Sequence, residues 1–183
     1  MEKLKTNYPV TIQWRFFPLH PEIPAEGIAL NDLFPGSDFE NSPMRSHLKL
    51  LMEQEGLPYN SPSRTFNTRL AQELAKWAEG QPNGERLHTS LYQACFVGGQ
   101  NIGDINVLLQ LAEEIGLPIE NARDVLINRR FKDAIDSDWL RSREIGVTGV
   151  PAFVAEPYGI VGAQPYESLV KLVQAVLGQK NQR

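Results

Sequence analysis

The stretch Gly146-Val147-Thr148-Gly149-Val150-Pro151-Ala152-Phe153 decides the fold of this chain, because a glycine-containing turn runs directly into a proline that opens a strand. Proline lacks a backbone N–H, so a strand tolerates it at the first residue but not in the centre. Two short strands, residues 153–155 and 160–162, follow on either side of a Pro157-Tyr158-Gly159 turn. The sequence therefore predicts a β-hairpin, and a C-terminal helix is predicted from Pro165.

An earlier strand is predicted at residues 10–17, which are rich in β-branched and aromatic side chains. Three prolines between positions 18 and 24 end this strand in an extended loop. Ahead of it, residues 2–7 have the pattern of the last turns of a helix, and Pro9 prevents that helix from continuing.

Between Ser42 and Gly146 the apolar residues recur at the spacing of one face of an α-helix. Ser42 and Pro43 predict the N-cap and first residue of a helix that ends at Gly56. Further helices are predicted at residues 65–79, 85–97, 104–116, 120–128 and 131–145. We therefore predict an α/β protein in which residues 1–36 and 147–183 form one discontinuous domain and residues 37–146 form an all-helical insertion.

Composition and charge argue against several classes of protein. With 183 residues, 42% of them hydrophobic, the chain can bury a core without disulfides. Its formal charge is −4 and its acidic and basic residues are interspersed, which argues against nucleic-acid binding. No apolar stretch reaches membrane-spanning length, and the first 20 residues lack a secretory apolar region. We therefore predict a cytoplasmic protein that binds neither nucleic acid nor membrane.

Cysteine and histidine usage limits the chemistry of the chain. Cys95 is the one cysteine, so the sequence contains no internal disulfide and no Cys-X-X-Cys motif. His20, His47 and His88 are too far apart for metal-ligand spacing, so no metal is predicted. Cys95 follows Leu91 by four residues on an apolar helical stripe, which predicts an inert core thiol rather than a nucleophile.

Five stretches, in this order, resemble the DsbA family of thioredoxin-fold proteins, in particular its FrnE-like cytosolic branch. That branch is related to the 2-hydroxychromene-2-carboxylate isomerases and the kappa-class glutathione transferases. The stretches are QWRFFPLHP (residues 13–21), FNTRLA (66–71), GQNIGD (99–104), GVTGVPAF (146–153) and VGAQP (161–165). The resemblance implies a thioredoxin fold over nearly the whole chain, from about Leu4 to Leu177.

The sequence departs from the family at its start. In the family a central strand and a Cys-Pro-X-Cys motif at the next helix N-terminus come before anything found here. A helix N-terminus stabilises a thiolate because its exposed N–H groups and dipole favour negative charge. We interpret Met1 as an internal methionine of a longer protein; the alternative is a naturally shortened, catalytically inactive descendant.

The resemblance implies a substrate-binding loop with a cis proline, which leaves backbone groups free to pair with an extended peptide. The implied binding residues are Thr148, Gly149, Val150 and Pro151 in that loop, Asn67 and Thr68 at a helix start, Phe17 after the first strand, and Gly162, Ala163 and Gln164 before the last helix.

Each of these residues also has a structural interpretation. Asn67 and Thr68 are expected either to line a substrate-binding groove or to supply local hydrogen bonds near the helix start. Phe17 contributes to an apolar groove or to the core. Residues 162–164 are expected either to hold a carboxylate of glutathione at a helix N-terminus or to contain an ordinary N-cap at Gln164. The acidic residues Asp136 and Asp138 are predicted to face solvent.

The implied activity is thiol–disulfide exchange, in which a low-pKa thiolate attacks a substrate disulfide. Because the dithiol is absent from this sequence, we predict no dithiol redox activity for the chain, and whether it is an enzyme stays open. The alternatives are a glutathione-dependent isomerase or transferase and a non-catalytic peptide-binding protein. The implied partners are a peptide or protein disulfide, a glutathione conjugate and a second copy of the chain, with glutathione as a co-substrate and no resident cofactor.

Overall fold

A computed structural model describes residues 1–34, 38 and 41–180 of the chain. The helices are α1 (Glu2–Asn7), α2 (Leu30–Leu33), α3 (Pro43–Gln54), α4 (Arg69–Ala78), α5 (Arg86–Tyr92), α6 (Ile105–Glu114), α7 (Ile119–Ile127), α8 (Lys132–Glu144) and α9 (Tyr166–Lys180). The strands are β1 (Ile28–Ala29), β2 (Arg64–Thr65), β3 (Ala152–Ala155) and β4 (Tyr158–Val161). The predicted C-terminal order of strand, strand and helix is confirmed.

The chain divides into two compact units. We call residues 1–19 and 137–183 the terminal unit, and residues 20–136 the helical unit. The sequence predicted divisions near positions 36 and 146. The terminal unit takes in the second half of α8, where the Asp138 carboxylate accepts a hydrogen bond from Arg15 Nη1 at 2.7 Å. The boundaries of separately folding domains stay a prediction.

The β3–β4 hairpin organises the terminal unit. Phe153 lies opposite Ile160 in the antiparallel pair, and both side chains pack against the small core of Leu4, Leu169 and Val173. Because side chains alternate between the two faces of a strand, Val154 and Val161 point to the other face. Their exposures are 46% and 49%, so that second face of the hairpin is largely open.

The prediction of a strand at residues 10–17 is wrong. A strand requires a neighbouring strand for its ladder hydrogen bonds, and in the described part of the chain β1 pairs with β2 and β3 pairs with β4. Residues 10–17 have no such partner there and are irregular. Val10 packs against the terminal-unit core, and the Phe16 N–H donates to a side chain, Asp138 Oδ2, at 3.3 Å.

The helical unit is built around α4, which packs against α5 and α7, while α6 packs against the same two helices. Its centre is a set of leucines with at most 1% exposure, namely Leu74, Leu87, Leu108 and Leu126. The predicted N-cap at Ser42 is confirmed, and Asp104 caps α6 in the same way. Ser42 Oγ accepts from the Arg45 N–H at 3.2 Å, and Asp104 Oδ1 accepts from the Asn106 N–H at 2.7 Å.

Two helix boundaries differ from the prediction. The helix predicted from position 65 begins at Arg69, since Thr65 pairs with Ile28 in the β1–β2 ladder. The helix predicted at residues 85–97 is α-helical only to Tyr92 and continues as a π-helical turn over Gln93–Val97. The two-residue strands β1 and β2 carry no periodic signal, so the sequence did not predict them.

Candidate functional site

The loop that precedes β3 presents unpaired main-chain groups. No backbone hydrogen bond joins Thr148, Gly149 or Val150 to any other residue that the structure describes. Val150 is 50% exposed, and the Val150–Pro151 peptide bond is cis. A second cis bond, Glu156–Pro157, lies in the turn between β3 and β4. The N–H and C=O of Val150 are therefore open to an incoming extended chain.

Gly162 lies beside this loop, because its N–H donates to the Pro151 carbonyl at 2.7 Å. Gly162 has φ +93°, a conformation that side chains rarely allow, so the position requires glycine. Gln164 Nε2 donates to the Val161 carbonyl at 2.8 Å, and Ala163 is exposed. The Gly162 N–H is thus used within the protein and is not available to a ligand carboxylate.

Phe17 lies in a segment that Asp138 holds in place. Asp138 is 1% exposed and accepts from Arg15 Nη1 at 2.7 Å and from the Phe16 N–H at 3.3 Å. The Asp138 carbonyl also accepts from Ser142 Oγ at 3.0 Å. The prediction that Asp138 faces solvent is wrong, because the helix face that carries it receives Arg15 from a distant part of the sequence. Phe17 itself is half-buried.

Asn67 and Thr68 lie in the helical unit, whereas the other predicted binding residues lie in the terminal unit. Asn67 Nδ2 donates to the Ile23 carbonyl at 2.7 Å and to the Pro21 carbonyl at 3.3 Å. Its Oδ1 accepts from the Arg69 N–H at 2.9 Å. Thr68 Oγ1 accepts from Gln72 Nε2 at 3.0 Å. Thr68 thus makes a local hydrogen bond, whereas Asn67 makes one local bond and two bonds to a distant loop, and a role of either residue in lining a groove stays a prediction.

The lone thiol is poorly suited to nucleophilic chemistry. Cys95 lies in the π-helical turn and is half-buried. Burial raises the pKa of the Cys95 thiol, because the charged thiolate is less well solvated there than in water. The thiol is therefore largely protonated at neutral pH and weakly reactive.

A buried carboxylate that the sequence analysis missed anchors the helical unit. Glu73 on α4 is 0% exposed, and its Oε1 accepts from Arg69 Nε and Arg129 Nη2, both at 2.6 Å. Burial opposes ionisation of Glu73, but the hydrogen bonds from Arg129 and Arg69 outweigh it and hold the carboxyl pKa below its ordinary value. The four-residue spacing of Arg69 and Glu73 was visible in the sequence; Arg129, 56 residues from Glu73, was not.

The described side chains were compared with two further kinds of feature, a metal site and a membrane-spanning helix. Among residues 1–34, 38 and 41–180, no group of three or more His, Cys, Asp and Glu side chains is arranged to hold a metal ion. None of the helices formed by these residues combines the length and the apolar character needed to cross a membrane.

Residues 1–174 match the family model of the DSBA-like thioredoxin domain. The chain belongs to the DSBA-like thioredoxin domain family. This family includes the DsbA-type thiol–disulfide oxidoreductases, so the predicted fold and family are confirmed at that level.

Solved structures of DsbA-like proteins share this fold. The chain matches a probable DsbA oxidoreductase from Streptomyces coelicolor, SCO1869, with a TM-score of 0.78 and 25% identity, over 87% of this chain and 72% of that one. A candidate protein disulfide isomerase from Nitrosomonas europaea matches with a TM-score of 0.61 and 18% identity, over 79% of this chain and 77% of that one. The second likeness concerns the fold alone.

Two relatives in sequence carry different names. Uncharacterized protein YwbO of Bacillus subtilis is 30% identical over 158 residues, which cover 84% of this chain and 76% of YwbO. The ClpXP adapter protein SpxH of Halalkalibacterium halodurans is 26% identical over 112 residues, which cover 57% of this chain and 37% of SpxH. One of these two relatives is thus named for an adapter role.

Proposed function

We propose that this chain is a peptide-docking member of the DSBA-like family, with no dithiol redox activity by itself. The observation that carries the proposal is the main chain of Val150, whose N–H and C=O have no hydrogen-bond partner among the described residues. An extended peptide that pairs with a free main-chain edge gains affinity from backbone hydrogen bonds and specificity from side-chain pockets.

The absence of redox activity follows from cysteine chemistry. Reduction of a disulfide by a dithiol consumes two thiols of the enzyme, and this sequence supplies one cysteine. Burial of Cys95 lowers its thiolate fraction further, because it raises the pKa of the thiol. We also infer that the chain belongs to the FrnE-like branch, on the five stretches that resemble it, and the cytoplasmic location stays a prediction.

The alternatives differ in their support. A non-catalytic docking role agrees with a relative that is named an adapter protein. A glutathione-dependent isomerase or transferase needs a site for the γ-glutamyl carboxylate, and the Gly162 N–H that would contribute is bonded to Pro151. We therefore place peptide docking ahead of glutathione chemistry.

The proposal is tested by titrating ¹⁵N-labelled protein with a disulfide-bonded peptide and, separately, with oxidised glutathione. We expect the amide signals of Gly149, Val150 and Ala152 to shift on addition of the peptide. In a matched pair of variants, Val150→Pro removes the N–H whereas Val150→Ala keeps it, so only the first should weaken binding, by about threefold to tenfold.

Two outcomes contradict the proposal. Equal losses of affinity in Val150→Pro and Val150→Ala, with both variants folded, would show that the side chain and not the main chain binds. An insulin-reduction assay in which this chain accelerates turnover beyond the reductant alone would contradict the claim that it lacks dithiol activity.

A further inference from the structure

A cavity of about 350 Å³ opens on the surface of the helical unit. The π-helical turn and the last turn of α6 line it, together with Pro58, and none of the residues of the β3 loop does. Ligand pockets in proteins commonly fall between about 300 and 1,000 Å³, so this cavity has room for a small organic molecule. Turns of π-helix inside α-helices also occur frequently at functional sites.

The least exposed side chains that line the cavity are apolar. Ala94 of the π-helical turn and Leu111 of α6 are only 6% and 7% exposed, and Val97 is half-buried. A hydrocarbon chain that lies against these three residues leaves water, which is favourable. The cavity therefore suits a ligand with an apolar body.

Hydrogen bonds join the walls of the cavity without a ligand. The Tyr92 hydroxyl donates to the Pro58 carbonyl at 2.9 Å, and Asn60 Nδ2 donates to the Val97 carbonyl at 2.7 Å. These two bonds fix the loop at residues 58–60 against the end of α5 and the π-helical turn. A ligand therefore enters a site that is already formed, which lowers the entropic cost of binding.

The polar side chains around the cavity offer hydrogen-bond acceptors that the protein does not use. Ser90, Gln93 and Gln100 line the cavity, and their side chains form no hydrogen bond with any residue that the structure describes. A hydroxyl and an amide each carry an oxygen that accepts hydrogen bonds. A ligand with several N–H donors can therefore bond to more than one of them.

The charge at the cavity comes from Glu114, the one charged residue among those that line it. Gln110 Nε2 donates to Glu114 Oε1 at 2.9 Å and so orients the carboxylate. Glu114 forms no ion pair with a base in the described part of the chain. It is the last residue of α6, where the helix dipole is also negative and the last turn carries no base.

The part of the helical unit that lies outside the described residues adds no positive charge to this balance. Positions 35–37 and 39–40 contain no Lys, Arg or His in the sequence. The negative charge at Glu114 therefore does not depend on the placement of these positions.

We propose that this cavity binds a small aliphatic amine, with its ammonium group at Glu114 and its hydrocarbon chain against Ala94, Val97 and Leu111. An ammonium group carries three N–H donors and no acceptor, so it pairs with the carboxylate and with the unused amide and hydroxyl oxygens. The proposal goes beyond peptide docking, since it uses none of the residues of the β3 loop.

Titration of ¹⁵N-labelled protein with n-pentylammonium at constant ionic strength tests the proposal, and n-pentanol is the uncharged probe with the same chain. We expect n-pentylammonium to shift the amide signals of Ala94, Val97 and Leu111 saturably. Its affinity should exceed that of n-pentanol by about threefold to fivefold, the modest gain of an ion pair with an exposed carboxylate.

Two neighbouring acids of α6 provide a matched pair of variants. E114Q should lower the affinity for n-pentylammonium by about threefold to fivefold and leave that for n-pentanol unchanged. Glu113 is exposed but does not line the cavity, so E113Q, with the same change in net charge, should stay within about 1.5-fold of the wild type. Circular dichroism checks that both variants are folded.

Three results would overturn the proposal. The first is a wild-type protein whose signals from the cavity do not shift saturably with n-pentylammonium. The second is equal affinity for n-pentylammonium and n-pentanol, because the carboxylate would then contribute nothing. The third is an equal loss in E114Q and E113Q, because the amine would then respond to net charge and not to this cavity.

Discussion

The Asp138 carboxylate, buried in α8, receives Arg15 Nη1 at 2.7 Å across 123 residues of sequence. The same carboxylate accepts the Phe16 N–H at 3.3 Å. Groups from two distant parts of the terminal unit's sequence therefore meet at one acidic side chain. This contact holds in place the irregular segment that carries Phe17. In a strand, hydrogen bonds to a neighbouring strand would do this instead.

We expect Asp138→Asn to destabilise the chain by about 2 kcal/mol, since the change removes the charge that binds Arg15. An amide also presents N–H donors where a carboxylate presents only acceptors, so one of the two bonds is lost. Urea unfolding measures the change. The control is Glu113→Gln on the exposed side of α6, which should alter stability by less than about 0.5 kcal/mol. An Asp138→Asn protein as stable as this control would show that the contact contributes nothing.

Glu73→Gln should lower the free energy of unfolding by about 3 kcal/mol, more than Asp138→Asn does. It leaves the guanidinium groups of Arg69 and Arg129 without their buried counter-charge.

The stability that Glu73 provides should depend on pH. The pKa of Glu73 in the folded chain lies below its ordinary value of 4.5, so its contribution is fully present above that pH and is lost as the pH falls through the folded-state pKa.

The acid sensitivity is measured as the free energy of unfolding between about pH 6 and about pH 3. The wild type should lose more stability over this range than Glu73→Gln, in which the titrating group is missing. Parallel curves for the two proteins would exclude Glu73 as a source of acid sensitivity.

The Cys95 thiol should react slowly with iodoacetamide at neutral pH in the folded protein. Burial raises its pKa, so the reactive thiolate is scarce, and burial also restricts access of the reagent. Alkylation followed by mass spectrometry should proceed severalfold faster after unfolding in urea. Equal rates in the folded and unfolded chain would show that the structure does not protect this thiol.

Two glycine-to-alanine changes should have opposite signs. Gly178 in α9 has open space where a methyl group would lie, so Gly178→Ala should stabilise the chain by about 0.5–1 kcal/mol through helix propensity. A methyl group on Gly84 would overlap the Ala78 carbonyl, so Gly84→Ala should destabilise it by about 1–3 kcal/mol. Thermal unfolding monitored by circular dichroism separates the two, and a shift of the same sign in both would refute the assigned environments.

Local signals in the sequence were sufficient for most of the helices and for the hairpin. The N-caps at Ser42 and Asp104 act over two or three residues, so their outcome depends little on distant parts of the chain. The proline before β3 also acts locally, because a missing N–H is tolerated at the start of a strand but not in its centre. The role of Val150 in pairing with a substrate was implied by the family resemblance and stays a prediction.

The sequence alone determined the helical period, the helix starts at Ser42 and Asp104 and the β3–β4 hairpin, because hydrogen bonds and side chains within a few residues dictate them. Only the tertiary structure decided that residues 10–17 lack a strand partner in the described part of the chain and that Asp138 and Glu73 are buried with arginines. The physical reason is that ladder pairing, burial and ion pairing depend on residues far away in the sequence, whose approach no local pattern encodes.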